Sequence, residues 1–151
     1  MADTIRETVI QQMVAALKNY TGFSTISQPT VVRGIEYFDV IESYEMPVIS
    51  VLPRDDEIER RYGKHVCTME VELVCAIAFD VDEASIIGEA VYGELMVAAL
   101  AAVPVGVEDR YVTGGGVINP DSLNQTVLSA AVVMNIQYLT DIGDPYTLTT
   151  E

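Results

Sequence analysis

The stretch that decides the fold is HVCTMEVELVCAIAF, residues 65–79. From Cys67 onward every second residue is apolar, which is the period of a β-strand with one buried face. The apolar set is Cys67, Met69, Val71, Leu73, Cys75, Ile77 and Phe79. The alternate positions start polar at Thr68 and end apolar at Ala78. We therefore predict a long strand whose second face is wet over its first half and covered over its second.

A helix is predicted directly after this strand. Asp82 suits the N-cap position, and Glu83 suits the positive end of the helix. Apolar residues then recur at helical spacing until Pro104 and Gly106 end the pattern. Many residues between these points are Gly or Ala, so the helix can lie close to a sheet. We expect it to return over the covered half of the strand.

Two elements are predicted on the N-terminal side. Thr4 and Glu7 have capping-box spacing, and an apolar stripe runs from there to Tyr20, which predicts a helix over residues 4–20. The run 46–53, MPVISVLP, predicts a strand with proline at its margins. Residues 35–41 are also β-prone, but their pattern is less regular.

The C-terminal part predicts two more strands. Residues 107–113 form a short β-prone run, Gly114-Gly115-Gly116 indicates a flexible turn, and residues 126–139 alternate over a long strand. The tail, residues 141–151, is polar. Runs of strands interrupted by two helices favour an α+β fold. We predict one domain over residues 1–151, with a mixed, mostly antiparallel sheet and two main helices packed on one face.

The charge balance excludes a nucleic-acid-binding protein. The 151 residues include 8 Lys and Arg against 23 Asp and Glu, giving a net charge of -15 at pH 7. Binding to phosphates needs a concentrated basic surface, so we expect no direct nucleic-acid partner. The longest apolar stretch, residues 90–105, is interrupted by Tyr92, Glu94 and Pro104, so no membrane span or membrane partner is expected. The N-terminal residues lack a signal-peptide pattern.

The sequence offers no constellation of catalytic or metal-binding residues. His65 is the single histidine, and the two cysteines, Cys67 and Cys75, lie in one strand, too far apart to pair there. Gly114-Gly115-Gly116 lacks the Lys-Ser/Thr of a phosphate loop, and acidic pairs occur often in so acidic a chain. We therefore predict no catalytic residue, no cofactor, no metal ligand and no enzymatic activity.

Half of the basic residues fall in one charged segment, residues 54–64, which we call the arm. These residues are Arg54, Arg60, Arg61 and Lys64, and Ile58 and Tyr62 lie among them. One interpretation is a soluble hairpin or long loop whose charges neutralise the interleaved acids. The other is a protein contact element, because Arg and Tyr often anchor interfaces. The sequence favours both equally.

The order of elements and several strand sequences resemble phage tail terminator proteins of the lambda type. The similar stretches are residues 46–51, 70–73 and 132–140, followed by Asp144-Pro145. Neck and tail-completion proteins and tail-like bacteriocins share this pattern. The resemblance implies a structural subunit that forms a hexameric ring, caps the tail tube and contacts the head–tail connector or neck protein. It also implies a place in the virion tail, after assembly in the cytoplasm of a bacterial host.

No catalytic residues of that family are carried over. The resemblance implies contacts with the tube protein or with neighbouring subunits at the arm and the tail. The residues concerned are Arg54, Ile58, Arg60, Arg61, Tyr62, Lys64, Asp144 and Tyr146. An acidic lining would also keep DNA from adhering to the channel of such a ring.

Two other classes remain open from the residues alone. The chain is alternatively a small acidic α+β protein that binds a ligand or metal, or an enzyme of unknown reaction, with acidic pairs holding a hard cation. The third class is a regulatory protein that mimics nucleic acid, which requires the acidic residues to form one continuous face.

Overall fold

The fold is built on one five-stranded sheet with two helices, in a computed structural model that describes residues 3–26, 29–34, 47–61, 63–78, 84–102, 104, 106–118 and 127–146. In chain order the elements are α1 (Ile5–Asn19), β1 (Thr30–Arg33), β2 (Val48–Arg61), β3 (Lys64–Ala78), α2 (Ala84–Ala101), β4 (Asp109–Ile118) and β5 (Val127–Asp141). The strands lie in the order β1-β2-β3-β5-β4. Only β1 and β2 are parallel, and the other neighbours are antiparallel. The predicted α+β class with a mostly antiparallel sheet is confirmed.

The alternation predicted for the deciding stretch places β3 at the centre of the sheet. Met69, Leu73 and Cys75 are fully buried and belong to the main core with residues of both helices. On the opposite face Glu70 is exposed whereas Ala76 is buried, as the change of pattern along the strand predicts. Residues of β2 and β5 that lie opposite the odd-numbered residues of β3 therefore face the same core.

Both helices pack on one face of the sheet, as predicted, but the expectation that α2 covers the second face of β3 is wrong. The buried residues of α2, Val91, Leu95 and Ala98, pack in the same core as the odd-numbered residues of β3, so α2 lies on the same face as α1. Helix α1 packs against β1 and β2, and α2 packs mainly against β5 and β4. The two helices side by side form one layer, which we call the helix side of the sheet.

Helix α1 begins where the capping residues predict. The Thr4 hydroxyl accepts a hydrogen bond from the Glu7 backbone N–H at 3.1 Å. The Glu7 carboxylate does not complete the capping box and instead pairs with Arg33 at the end of β1. This ion pair ties the first turn of α1 to the edge strand.

The arm is a β-hairpin, one of the two forms that the sequence left open. β2 and β3 pair along its length, and Gly63 at the turn has a φ of 76°, a left-handed conformation that glycine adopts without strain. The register shifts between Pro53 and Asp56, where β2 carries one residue more than β3. Beyond this bulge the even residues of β2, from Asp56 to Arg60, face the helix side.

The three glycines 114–116 lie inside β4, so the predicted turn is wrong. The strand has a register shift between Val112 and Gly114 and continues to Ile118. A Cβ on Gly115 would lie 2.4 Å from the Ala131 carbonyl oxygen and 2.9 Å from the ring of Tyr92. Glycine is used here because α2 and β5 approach the strand closely, not because the chain reverses. The β-prone run 35–41 lies outside the described residues.

Candidate protein–protein interface

The bulge in β2 divides the predicted contact residues between the two faces of the arm. Arg54 and Arg61 lie on the side away from the helices, where Arg54 pairs with Glu72 at 3.0 Å and Arg61 with Glu59 at 3.0 Å. Lys64 lies opposite Arg61 and Asp141. Tyr62 lies outside the described residues. Arg54 and Arg61 therefore form ion pairs within the chain.

The helix side of the arm, which we call the arm face, combines an apolar side chain with an arginine and a histidine. It consists of Ile58 and Arg60 in β2 with His65 in β3, which lies directly opposite Arg60. Ile58 is 57% exposed. Arg60 is exposed and makes no ion pair or hydrogen bond within the described residues. An exposed isoleucine beside an unpaired arginine is the type of surface that protein partners use.

A pocket of about 310 Å³ opens beneath the arm face. Its walls come from the start of α1, the distal parts of β2, β3 and β5, and the turn at residues 143–145. Ile58 and Asp144 both line it, so the structure brings together one predicted residue from the arm and one from the tail. The Ile5 N–H donates to the Pro145 carbonyl at 2.8 Å, which fixes the tail against α1. Tyr146 follows and is 51% exposed.

The polar groups on the pocket wall are engaged with one another. Arg6 forms an ion pair with Asp56, and the Tyr138 hydroxyl donates to the other Asp56 oxygen at 3.4 Å. Burial raises the pKa of Tyr138 to about 12; the neighbouring Cys67 adds to the rise and Arg6 opposes it. The phenol is therefore neutral at pH 7 and acts as a hydrogen-bond donor rather than as a base.

A second exposed apolar surface lies on α2, and sequence reasoning did not assign it to a site. On its solvent side, residues Ile86, Glu89, Gly93, Val97 and Leu100 recur at helical spacing and form what we call the α2 stripe. Ile86 is 75% exposed, Val97 58% and Leu100 41%. The signal was present in the sequence, because α2 carries large apolar residues on its solvent side as well as on its buried side.

Glu94 holds α2 in place from its other flank. Its carboxylate accepts backbone N–H groups of Ser24 at 2.6 Å, Thr25 at 2.9 Å and Ile26 at 3.3 Å. Partial burial raises the pKa of Glu94, but these hydrogen bonds outweigh burial and leave the pKa below its ordinary value. The α2 stripe is therefore presented on a fixed helix.

The charges are distributed unevenly over the described surface. Of the 8 Lys and Arg residues, only Lys18 and Arg60 lack an ion pair or hydrogen bond in the part of the chain that the structure describes. On the side of the arm away from the helices, Glu57, Glu59 and Glu70 surround a shallow concavity of about 360 Å³. No group of three or more His, Cys, Asp or Glu residues within the described ranges is arranged to hold a metal ion.

Both cysteines are free and buried. Burial raises the pKa of the Cys75 thiol to about 12, with a further rise from the nearby Glu94 carboxylate. Among the described residues, no helix combines the length and apolar character needed to cross a membrane. No family model matches the chain, and no curated protein matches its sequence.

Proposed function

We propose that this protein is a ring-forming structural subunit that caps a phage tail tube and contacts the head–tail connector, as phage tail terminators do. The α2 stripe carries the proposal. Ile86, Val97 and Leu100 form an exposed apolar row on a single helix. Exposed apolar surface of this kind is typical of protein–protein contact sites. Burial against a neighbouring copy accounts for it.

The arm face supports the same role. Ile58 and Arg60 lie at the far end of a long hairpin, with the exposed Tyr146 of the tail at the same end of the sheet. A surface at the end of the sheet, together with one on the helix layer, gives the subunit two separate contact regions. Rings need two such regions, because each copy contacts one neighbour on either side.

The acidic residues suit a channel through which DNA passes. Glu57, Glu59 and Glu70 lie on one side of the arm, where the described residues place only paired basic groups. Turned toward the channel of a ring, this surface would repel phosphates and prevent the duplex from adhering. Mapping the acidic side of the arm to the outer rim of an assembled ring would remove this part of the proposal.

The test of the proposed function is a capping assay. Tail tubes from the phage or prophage whose genome encodes the chain are grown with and without the purified protein, and their lengths are measured by negative-stain electron microscopy. We expect wild-type protein to bind one end of each tube and stop its growth. Tubes of unchanged length, with no protein at either end, would contradict the proposal. Val97→Asp protein serves as the control for the contribution of the α2 stripe.

The pocket beneath the arm favours one second candidate, a ligand-binding module. Its volume of about 310 Å³ is at the lower end of the range of small-molecule sites. Binding of a ligand to the folded state would raise the melting temperature. We therefore expect this candidate to show a shift in a thermal melt with millimolar Mg²⁺, Mn²⁺ or Ca²⁺, or with a panel of small organic anions. The absence of any shift would remove its support.

A further inference from the structure

We infer that the α2 stripe of one copy docks on the arm face of the next copy, with Glu89 of the first paired to Arg60 of the second. This contact rests on the proposed function, because it identifies the partner of the apolar surface that carries that function. It is a head-to-tail contact between two different patches of the same chain. Such contacts repeat from copy to copy and close into a ring when the rotation permits.

The two surfaces match in polarity. The α2 stripe has three exposed apolar side chains and one charge, Glu89, which has no partner within the described residues. The arm face has an exposed Ile58 and one charge, Arg60, that is unpaired within the part of the chain that the structure describes. Each patch thus presents apolar area with a single charge of opposite sign. Complementary charges of this kind fix the register and suppress wrong partners.

A symmetric contact between two α2 stripes is less favourable. The stripe is centred on Gly93, so an antiparallel pair would place each Glu89 beside Val97 of the other helix. The α2 helix carries no basic residue, so both carboxylates would lie unpaired at one seam. In a chain with a net charge of -15, such a contact adds repulsion instead of relieving it. Among the described residues, Arg60 on the arm supplies an unpaired cation for this carboxylate.

Lys18 is the other cation without a partner in the described ranges, and it lies at the end of α1 beside a shallow groove lined by Val14 and Ala15. This groove is a poorer partner for the stripe. Among the described residues of α1 no large apolar side chain is exposed, whereas Ile58 on the arm face is 57% exposed. The arm face therefore offers a large exposed apolar side chain beside its charge, whereas the groove offers only the small Ala15 and the half-buried Val14 beside Lys18.

The contact is tested by exchanging the two charges. Sedimentation velocity is measured for wild type, Arg60→Glu, Glu89→Arg and the double variant, over loading concentrations from about 1 μM to about 1 mM. We expect wild type to associate with rising concentration, each single variant to associate about tenfold more weakly or worse, and the double variant to recover. Both positions of the exchange are exposed side chains, and circular dichroism checks that each variant is folded.

Two matched variants make the test specific. Arg61→Glu changes the same charge one residue further along the arm, but on the other face and from within an ion pair, so we expect wild-type association. Lys18→Glu combined with Glu89→Arg tests the groove on α1, and recovery by that pair would overturn the inference. So would a double variant of Arg60 and Glu89 that fails to recover, or a wild type that stays monomeric throughout.

Failure of this contact is distinguishable from failure of the proposed function. Rescue by the exchanged pair in solution supports the contact whether or not the protein caps tail tubes. Capping without rescue supports the ring-forming role but overturns the assignment of Glu89 to Arg60.

Discussion

The carboxylate of Glu94, in the middle of α2, accepts the backbone N–H of Ser24 at 2.6 Å. Two further N–H groups of the same loop, from Thr25 and Ile26, bind the same carboxylate. The loop that leaves α1 is thus closed by a side chain from a helix about seventy residues later in the chain. One ionised group satisfies three backbone donors that no strand or helix pairs.

We expect Glu94→Gln to lower the free energy of unfolding by about 1 to 3 kcal/mol, because hydrogen bonds to an ionised acceptor are stronger than those to a neutral amide. Urea denaturation at pH 7 measures the change. Glu89→Gln is the matched control on the same helix, since Glu89 has no partner within the described residues, and its effect should stay within about 0.5 kcal/mol. Equal effects of the two substitutions would show that the Glu94 carboxylate does not stabilise this loop.

The stabilisation that Glu94 provides should also depend on pH. The pKa of Glu94 is lower in the folded protein than its ordinary value of 4.5. The stabilisation is therefore complete above pH 4.5 and is lost as the pH falls through the folded-state pKa. We expect the difference in unfolding free energy between wild type and Glu94→Gln to shrink on acidification below pH 4.5. A difference that is constant down to strongly acidic pH would show that the charge of Glu94 is not responsible.

Gly115→Ala tests the close approach of β4 to its neighbours. A methyl group there would lie 2.4 Å from the Ala131 carbonyl oxygen, and the φ of Gly115 is 150°. We expect a loss of about 2 kcal/mol or more, measured by thermal or urea unfolding. The adjacent Gly114 has nothing within 4 Å of its added Cβ, so Gly114→Ala should be neutral or stabilise by up to about 1 kcal/mol. A flexible turn would tolerate both substitutions equally.

Asp56→Asn tests the polar network on the pocket wall. The substitution removes the ionised partner of Arg6 and one acceptor of the Tyr138 hydroxyl, and Arg6 is only 29% exposed. We expect the free energy of unfolding to fall by about 1 to 3 kcal/mol. Asp55→Asn removes the same charge from an exposed residue without a partner in the described chain and should change little. The reverse order of effects would mean that Asp55, and not Asp56, pairs with Arg6.

Thiol labelling tests the burial of the cysteines. Because the Cys75 pKa is about 12, its reactive thiolate is scarce at pH 8. In a Cys67→Ala background we expect Cys75 to react only as fast as the protein unfolds. In a Cys75→Ala background Cys67, which lines the pocket, should react faster. Faster labelling of Cys75 than of Cys67 would contradict this arrangement.

Val97→Asp tests the α2 stripe without reference to any partner residue. Val97 is 58% exposed, so the added carboxylate should leave folding intact while it reduces self-association by about tenfold or more. Light scattering over a concentration series measures the change. Ala15→Asp adds the same charge to the exposed surface of α1 and should associate as wild type does. Loss of association in the Ala15 variant instead would place the contact on α1.

The sequence predicted the parts of the fold that depend on local period. The alternation from Cys67 gave β3 within a residue at either end, and the Thr4 cap gave the start of α1. The prediction that both helices share one face of the sheet is confirmed, but the face of β3 that α2 covers was predicted wrongly, because a helix rich in Gly and Ala has no single apolar face that would reveal its position. The role of Gly115 depends on Tyr92 and Ala131, which are remote in sequence.

The candidate interface was predicted only in part for a similar reason. Composition located the arm, and it identified Ile58 and Arg60 among its residues. It could not separate them from Arg54 and Arg61, because the bulge that assigns each residue to a face is a property of the pairing between β2 and β3. Asp144 reaches the pocket beside Ile58 because the tail is held against α1 by the hydrogen bond from Ile5 to Pro145.

The extra residue at the bulge in β2 also isolates the arm from a change of chain length at this point. Deletion of one residue at Arg54 or Asp55 would restore simple alternation, with Pro53 still opposite Val71 and Asp56 still opposite Met69. Ile58 and Arg60 would therefore stay on the helix side. A one-residue deletion here is absorbed by the bulge, and the two faces of the arm keep their residues.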